Sequence, residues 1–372
     1  MKNSLLVLLL MVFFVGIIQQ RTIAQVTFGT GTINVRVDDY GAIRIFTTEG
    51  VDTLQHINRI SLIVAGNQGQ VLEYWNDLGW VTETALNPNP TLSDFEVTGV
   101  YDNSFSGAPP DFLIEQSVYG WNNESYCLVK CILTNRETTA MPMQAGLDVV
   151  QYVDFTWEED KIFYDLTNNI LTQFENHYIG IKFLSEQTTS GQVFEWFDGY
   201  ELLDTLYYNM MNAGTFSTDT LTTDADGGVG ILGGEHSNIQ PAATKTVYFA
   251  VAVGGNHNDM LANMQLALQK YNQLTSVESD LNNVPGDFVL EQNYPNPFNP
   301  STQITFGLPE RSDVVLKVFN ALGEQVAELV NETLEAGTHH YNFDAANLSS
   351  GVYIYSMQTD GKMITKKMTV IK

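Results

Sequence analysis

Apolar and polar residues alternate with a period of two along most of this chain. "TINVRVDDYGAIRIFT" predicts a hairpin of Thr32–Val37 and Ala42–Thr47, turning at Asp39, Tyr40 and Gly41. "RISLIVAGNQGQVLEYW" repeats the device around Asn67–Gly69. "PPDFLIEQSVYGW", "ESYCLVKCILTN", "MQAGLDVVQYVDF", "KIFYDL", "HYIGIKFL" and "TKTVYFAVAVGG" follow as further strands at short intervals. Successive side chains of a strand point to opposite faces, so each segment has one face to bury. Many such strands joined by short turns predict an all-β fold, a large β-sandwich or two-sheet stack.

One segment departs from this period. In "NHNDMLANMQLALQKYNQL", Leu261, Met264, Leu268 and Tyr271 recur at helical spacing. They predict one short helix over Asp259–Asn272, capped by Asn258 and docked on the sandwich edge. "SVESDLNNVPG" is polar and aperiodic, which reads as a linker over residues 276–287. The strand pattern restarts at Phe288. Seven short apolar runs, from "FVLEQ" to "KMITKKMTVIK", fill residues 288–372, the size of a small immunoglobulin-like sandwich. The expected organisation is therefore a leader over 1–24, a β-sandwich passenger over 25–275, the linker, and a C-terminal domain over 288–372.

The leader has a positive start at Lys2 and an apolar run from Leu5 to Ile18, with Thr22 and Ala24 at small-residue positions. That is the pattern of a signal peptide cleaved after Ala24, and the run is shorter than the roughly 20 residues of a spanning helix. It predicts entry into the general secretion machinery. No cysteine follows the run to accept a lipid.

Charge then sharpens the picture. The net charge is −26, and residues 26–287 hold 9 basic and 34 acidic residues. Such a field repels nucleic acid and anionic lipid and attracts cations. The two cysteines, Cys127 and Cys131, fall on one face of a strand about 13 Å apart, too far to pair, and read as buried thiols.

"YPNPFNPST" opens the C-terminal domain. Pro295, Pro297 and Pro300 fix φ and favour extended geometry at the preceding residues. Tyr294 and Phe298 are then expected to pack on the sandwich, while Asn293, Asn296 and Asn299 bond nearby backbone. The run from "NYPNPFNPST" through "ITFGLP", "VVLKVFNALGEQV" and "SGVYIYSM" to "KKMTVIK" resembles the type A C-terminal sorting domain of the type IX secretion system. The resemblance covers Phe288–Lys372 and implies an immunoglobulin-like module recognised by the outer-membrane translocon. The chain would then reach the cell surface or the medium by way of the periplasm. Its motif positions here are Tyr294, Pro295, Asn296, Pro297, Phe298, Asn299, Pro300, Gly351 and Tyr353. Lys366 and Lys367 are either edge-guarding lysines or part of the translocon-facing surface.

The passenger offers weaker chemistry. No HExxH, GxSxG, P-loop or GxGxxG motif occurs, and six scattered histidines predict no zinc site. Two runs combine carboxylates with aromatics: "VDFTWEEDKIFYD" with Asp154 and Trp157, and "FEWFDGYELLD" with Trp196 and Asp198. Sugars stack on aromatic rings and bond carboxylates, so either run could line a glycan cleft. "TTDADGGVGILGGE" places Asp224, Asp226 and Glu235 where a calcium loop has ligands, but lacks its fifth-position oxygen and sixth-position glycine. No other cofactor is expected. The passenger is similar to uncharacterised extracellular β-sandwich regions found beside such sorting domains, and shares a general look with the supersandwich domains of carbohydrate-processing enzymes. The preferred expectation is a non-catalytic module for adhesion, glycan binding or envelope structure. The alternative is an extracellular carbohydrate-active enzyme with paired carboxylates in Asp154–Asp165 or Glu195–Asp204.

Overall fold

The computed structural model describes residues 25–49, 52–67, 70–197, 199–224, 226–282, 287–359 and 361–372. The leader predicted over residues 1–24 lies outside them. The described chain forms two compact units, one up to Gln269 and one from Lys270 onward.

The first unit contains two antiparallel sheets. One runs Gln25–Gly29, Ile33–Asp38, Ile43–Glu49, Asp52–Asn67, Met141–Gln151, Gly228–Ile239, Ser190–Glu195, with Gln70–Leu72 also paired to Asp52–Asn67. The other runs Leu221–Thr222, Lys161–Asp165, Ile170–Phe174, Tyr178–Phe183, Thr244–Gly254, Tyr126–Asn135, Phe112–Gly120, Phe95–Asp102, Gly79–Leu86. The fold is all-β, as the alternation predicts. Val35, Ile45, Ile60, Leu62 and Val149 of the first sheet share a core with Val97, Ile114, Val129, Ile181 and Val251 of the second.

The central strands of the first sheet are buried on both faces. Leu62 and Val64 enter the inter-sheet core, while Ile63 and Ala65 join a second cluster on the outer face. This explains why "SLIVAG" is continuously apolar rather than alternating. The outer cluster is covered by the short helix Asp204–Met211, which buries Tyr207 and Met211. Sequence periodicity did not reveal this helix, because eight residues hold barely two turns of pattern.

Cys127 and Cys131 are buried and unpaired. Burial pushes both thiols up to about 12. The hairpin turn at Gly41 is fixed by a positive φ of 79°, and a Cβ there would sit 2.5 Å from the Tyr101 ring.

The predicted helix is present but longer, His257–Asn282. It runs through Ser276–Asn282, more than half of the segment read as linker; no glycine or proline interrupts the sequence before Pro285. Its cap also differs. Asn256, not Asn258, accepts the Asp259 N–H at 3.1 Å. Met264 of the predicted stripe is buried, together with Met260, Ala267 and Leu274, whereas Leu261, Leu268 and Tyr271 are only partly buried. Gly180 makes room for the Met260 thioether, since a Cβ there would lie 2.4 Å from its sulfur.

The second unit places seven strands in two sheets. Val289–Leu290, Ser301–Leu308 and Gly337–Asp344 form one; Gln325–Leu334, Ser312–Phe319, Gly351–Thr359 and Lys362–Val370 form the other. Phe306 and Leu308 of the first meet Leu316, Tyr355 and Met368 of the second in one core. Tyr355 ties the segment before the proline cluster to this core: its hydroxyl donates to the Glu291 carbonyl at 2.6 Å and accepts the Asn293 N–H at 2.9 Å. Tyr355→Phe leaves a buried N–H without its acceptor and is expected to destabilise this unit by about 1–3 kcal/mol. Hydrogen exchange in its strands reads the loss; unchanged protection would contradict it.

Candidate functional site

A cleft of about 370 Å³ opens beside the outer cluster of the first sheet, lined by Asn58, Arg59, Trp75, Val150, Trp157, Trp196, Glu201 and Asp226. Asn58, Arg59 and Val150 come from the central strands Asp52–Asn67 and Met141–Gln151. The remaining residues come from loops at the strand ends.

Arg59 organises the base of the cleft. Its guanidinium donates to Asp148 Oδ2 at 2.5 Å and to the Tyr200 hydroxyl at 2.8 Å. Tyr200 and Tyr207 both donate to the Asp148 carboxylate at 3.3 Å. Burial alone would favour a neutral guanidine, but the Asp148 charge overrides it and holds Arg59 charged. The cation also faces the rings of Tyr74 and Trp75, at 5.1 and 5.4 Å from their centroids.

Each tryptophan is held by its own loop. The Trp75 N–H donates to Glu73 Oε2 at 2.7 Å, and the Asn76 side chain donates to the Glu201 carbonyl at 2.8 Å, joining two walls. Trp157 packs on Tyr152 with centroids 4.3 Å apart and lies over Gly227. Gly227 has φ +84°, and a Cβ there would sit 2.6 Å from the indole. Trp196 donates its backbone N–H to the Gly227 carbonyl at 3.0 Å, and its indole N–H to Glu201 Oε1 at 3.4 Å. Trp75 is 51% exposed, while Trp157 and Trp196 are half-buried.

Two acids with raised pKa values support these loops without lining the cleft. Burial pushes the Glu73 carboxyl up to about 7 against its bonds from the Trp75 and Asn76 N–H groups. Burial likewise pushes Asp160 to about 7, and Asp160 accepts the Val153 N–H at 2.9 Å.

The sequence-predicted residues divide accordingly. Trp157 and Trp196 come together in one cleft. Asp154 is drawn away from the cleft to His56 and His177. Asp198 lies outside the described residues. Asp226 lines the cleft, but the calcium arrangement is not formed. Asp224 accepts the Asp226 N–H in a turn, while Glu235 stands nine residues further along, most of them in an extended strand, roughly 25 Å away. Trp75 and Arg59 were missed. Arg59 carried a usable signal, a lone charge in "INRISLIVAG", mirrored by Asp148 in "GLDVVQ".

In the second unit, Phe298 is buried against Phe343, as expected, but Tyr294 is 82% exposed. Backbone bonds in both directions between Tyr294 and Gln303, each 3.0 Å, fix that residue with its ring outward. Asn293 Nδ2 donates to Thr302 Oγ1 and the Pro295 carbonyl, and Asn296 Oδ1 accepts the Thr369 N–H. Pro295, Pro297, Asn299 and Pro300 are exposed. Gly351 opens a strand, and the Tyr353 hydroxyl donates to the Ser349 carbonyl at 3.0 Å. Lys366 and Lys367 lie on Lys362–Val370, one of the two edge strands of the four-stranded sheet.

Residues 269–372 match the family described as the secretion system C-terminal sorting domain. This part of the chain is a type IX sorting domain, and it marks the protein for the cell surface or secretion. No curated protein matches the chain. Among solved structures, a bacterial glucoamylase is similar at 12% identity and TM-score 0.48, over 69% of this chain and 36% of that one. A putative aldose 1-epimerase from Escherichia coli K12 is similar at 10% identity and TM-score 0.38, over 62% of this chain and 99% of that one. A heparan sulfate lyase from Pedobacter heparinus is similar at 11% identity and TM-score 0.35, over 84% of this chain and 41% of that one. The chain thus spans about a third of the length of the glucoamylase chain.

Two outcomes follow. Because the folded state favours protonated Glu73, stability should fall as pH rises from about 4.5 to about 7, with a slope of up to roughly 1.4 kcal/mol per pH unit. Denaturant melts across that window should be shallower in pH for Glu73→Gln; an unchanged slope would contradict this. Deleting Phe288–Lys372 should leave the remainder in the periplasm, read by cell fractionation. Normal surface appearance of the truncated chain would refute the sorting role.

Proposed function

We propose that the first unit is a non-catalytic glycan-binding module, delivered to the cell surface or medium by the sorting domain after a signal peptide over Met1–Ala24 has engaged the general secretion machinery. The observation that carries this reading is the convergence of Trp75, Trp157 and Trp196 on one cleft with polar groups between them. Flat apolar sugar faces stack on indoles, and hydroxyls are bonded by side chains such as Asn58, Glu201 and Asp226. The volume suits roughly one or two sugar rings.

The electrostatics favour neutral glycans. Arg59 is already bonded to Asp148 and Tyr200, and both other charged cleft residues are acidic. Residues 26–287 carry a large excess of acids besides. A sulfated or uronic chain would meet repulsion there. The two acids with pKa values near 7 are engaged with loop backbone, which favours binding over catalysis. Glu201 and Asp226 share the cleft and sustain the enzymatic alternative.

A glycan array with the full chain, followed by calorimetry on the best neutral oligosaccharide, tests both. Saturable binding without turnover is expected, with Trp157→Ala weakening it roughly 10- to 100-fold, the cost of removing a central aromatic contact. Affinity untouched by Trp157→Ala and Trp75→Ala would place the site elsewhere. Release of reducing sugar, abolished by Glu201→Gln, would reassign the cleft as catalytic.

A further inference from the structure

Three residues distant in sequence meet at one end of the first unit. His56 comes from the strand Asp52–Asn67, Asp154 from the short 3-10 turn Val153–Phe155, and His177 from the turn between Ile170–Phe174 and Tyr178–Phe183. Asp154 Oδ1 lies 3.2 Å from His56 Nδ1 and 2.5 Å from His177 Nδ1. All three ligand atoms fall within 4.8 Å of one another. The histidines are scattered along the sequence, and the antiparallel topology brings two of them together. We propose that His56, Asp154 and His177 form a site for a divalent transition metal of the zinc class.

The surroundings hold the donors in place. His56 is fully buried, and its Nε2 is bonded to Thr47 Oγ1 at 2.6 Å. That contact directs Nδ1 toward Asp154, as an outer-shell hydrogen bond does for a metal-binding imidazole. The Asp154 N–H also points to His56 Nδ1, at 3.4 Å. With a lone pair on Nδ1, that nitrogen and the Asp154 carboxylate face each other as two acceptors, an arrangement a cation between them relieves. The second carboxylate oxygen is committed elsewhere, accepting the Asn176 and His177 N–H groups at 2.8 and 3.1 Å. Oδ1 is thereby aimed at both imidazoles.

Geometry fits one ion. Two ligands of a tetrahedral zinc stand roughly 3.3 Å apart at bond lengths near 2.0–2.2 Å. The His56–Asp154 separation already matches. The His177 contact must open by roughly 0.8 Å, and His177 is on the more exposed side. Two imidazoles and one carboxylate suit zinc, copper or nickel rather than calcium or magnesium, which take oxygen sets. His177 and Thr47 also line a neighbouring cavity of about 400 Å³ with Asp259 and Asn263. The backbone is unusual at this point: Asp154 and Phe155 both adopt left-handed φ values, 52° and 72°. Such conformations cost about 1–2 kcal/mol per residue and persist where function or packing requires them.

Calorimetric titration of the metal-stripped full chain with zinc chloride tests the proposal. One equivalent should bind saturably, millimolar calcium should not displace it, and His177→Ala should weaken it at least tenfold. His177 is only partly buried, so this variant is expected to fold, and circular dichroism checks that. Absence of a saturable equivalent would overturn the proposal and leave the three residues as a hydrogen-bonded clamp. So would displacement by calcium, or undiminished binding by a folded His177→Ala, either of which would point to surface carboxylates.

Discussion

The buried pair of Arg59 and Asp148 constrains the first unit more than any other contact. Both sit on central strands with side chains only 3% and 2% exposed, so each charge depends on the other. Stranding one partner would cost several kcal/mol. Tyr200 and Tyr207 add further bonds to the pair, and they belong to the segment that carries Glu201 and packs the short helix onto the sheet. The strand register, the helix position and the base of the cleft are therefore set by one polar network.

The loops around the cleft are built on a different rule. Each indole is positioned by backbone bonds and by a neighbour chosen for its shape, as Gly227 is beneath Trp157. Glu73 and Asp160 are buried for the same purpose, bonding loop N–H groups rather than facing the cleft. The base is fixed by charge and the walls by local hydrogen bonding, so the aromatic lining can vary without disturbing the sheet.

The strands were legible in the sequence because half-buried strands must alternate, and the C-terminal seven were read in order from their turns. The doubly buried strands were legible as strands, but nothing local said that Ile63 and Leu62 serve separate clusters. Trp157 and Trp196 could be named because each sits beside carboxylates. That they share a cleft with Trp75 depends on pairings between residues far apart in the chain, such as Val150 with Arg59 and Val229 with Phe194. His56 and Asp154 are 98 residues apart, so no spacing rule could have joined them. Met264 of the helix was legible from its spacing, but the burial of Met260 in place of Leu261 depends on the gap above Gly180, which belongs to a distant strand.

The two cysteines carry a last implication. They are sealed in the core with thiols that stay protonated, and their separation along one strand prevents a bridge. The native state is thus the same under oxidising and reducing conditions. No oxidant is needed to set this part of the fold, and no reductant undoes it.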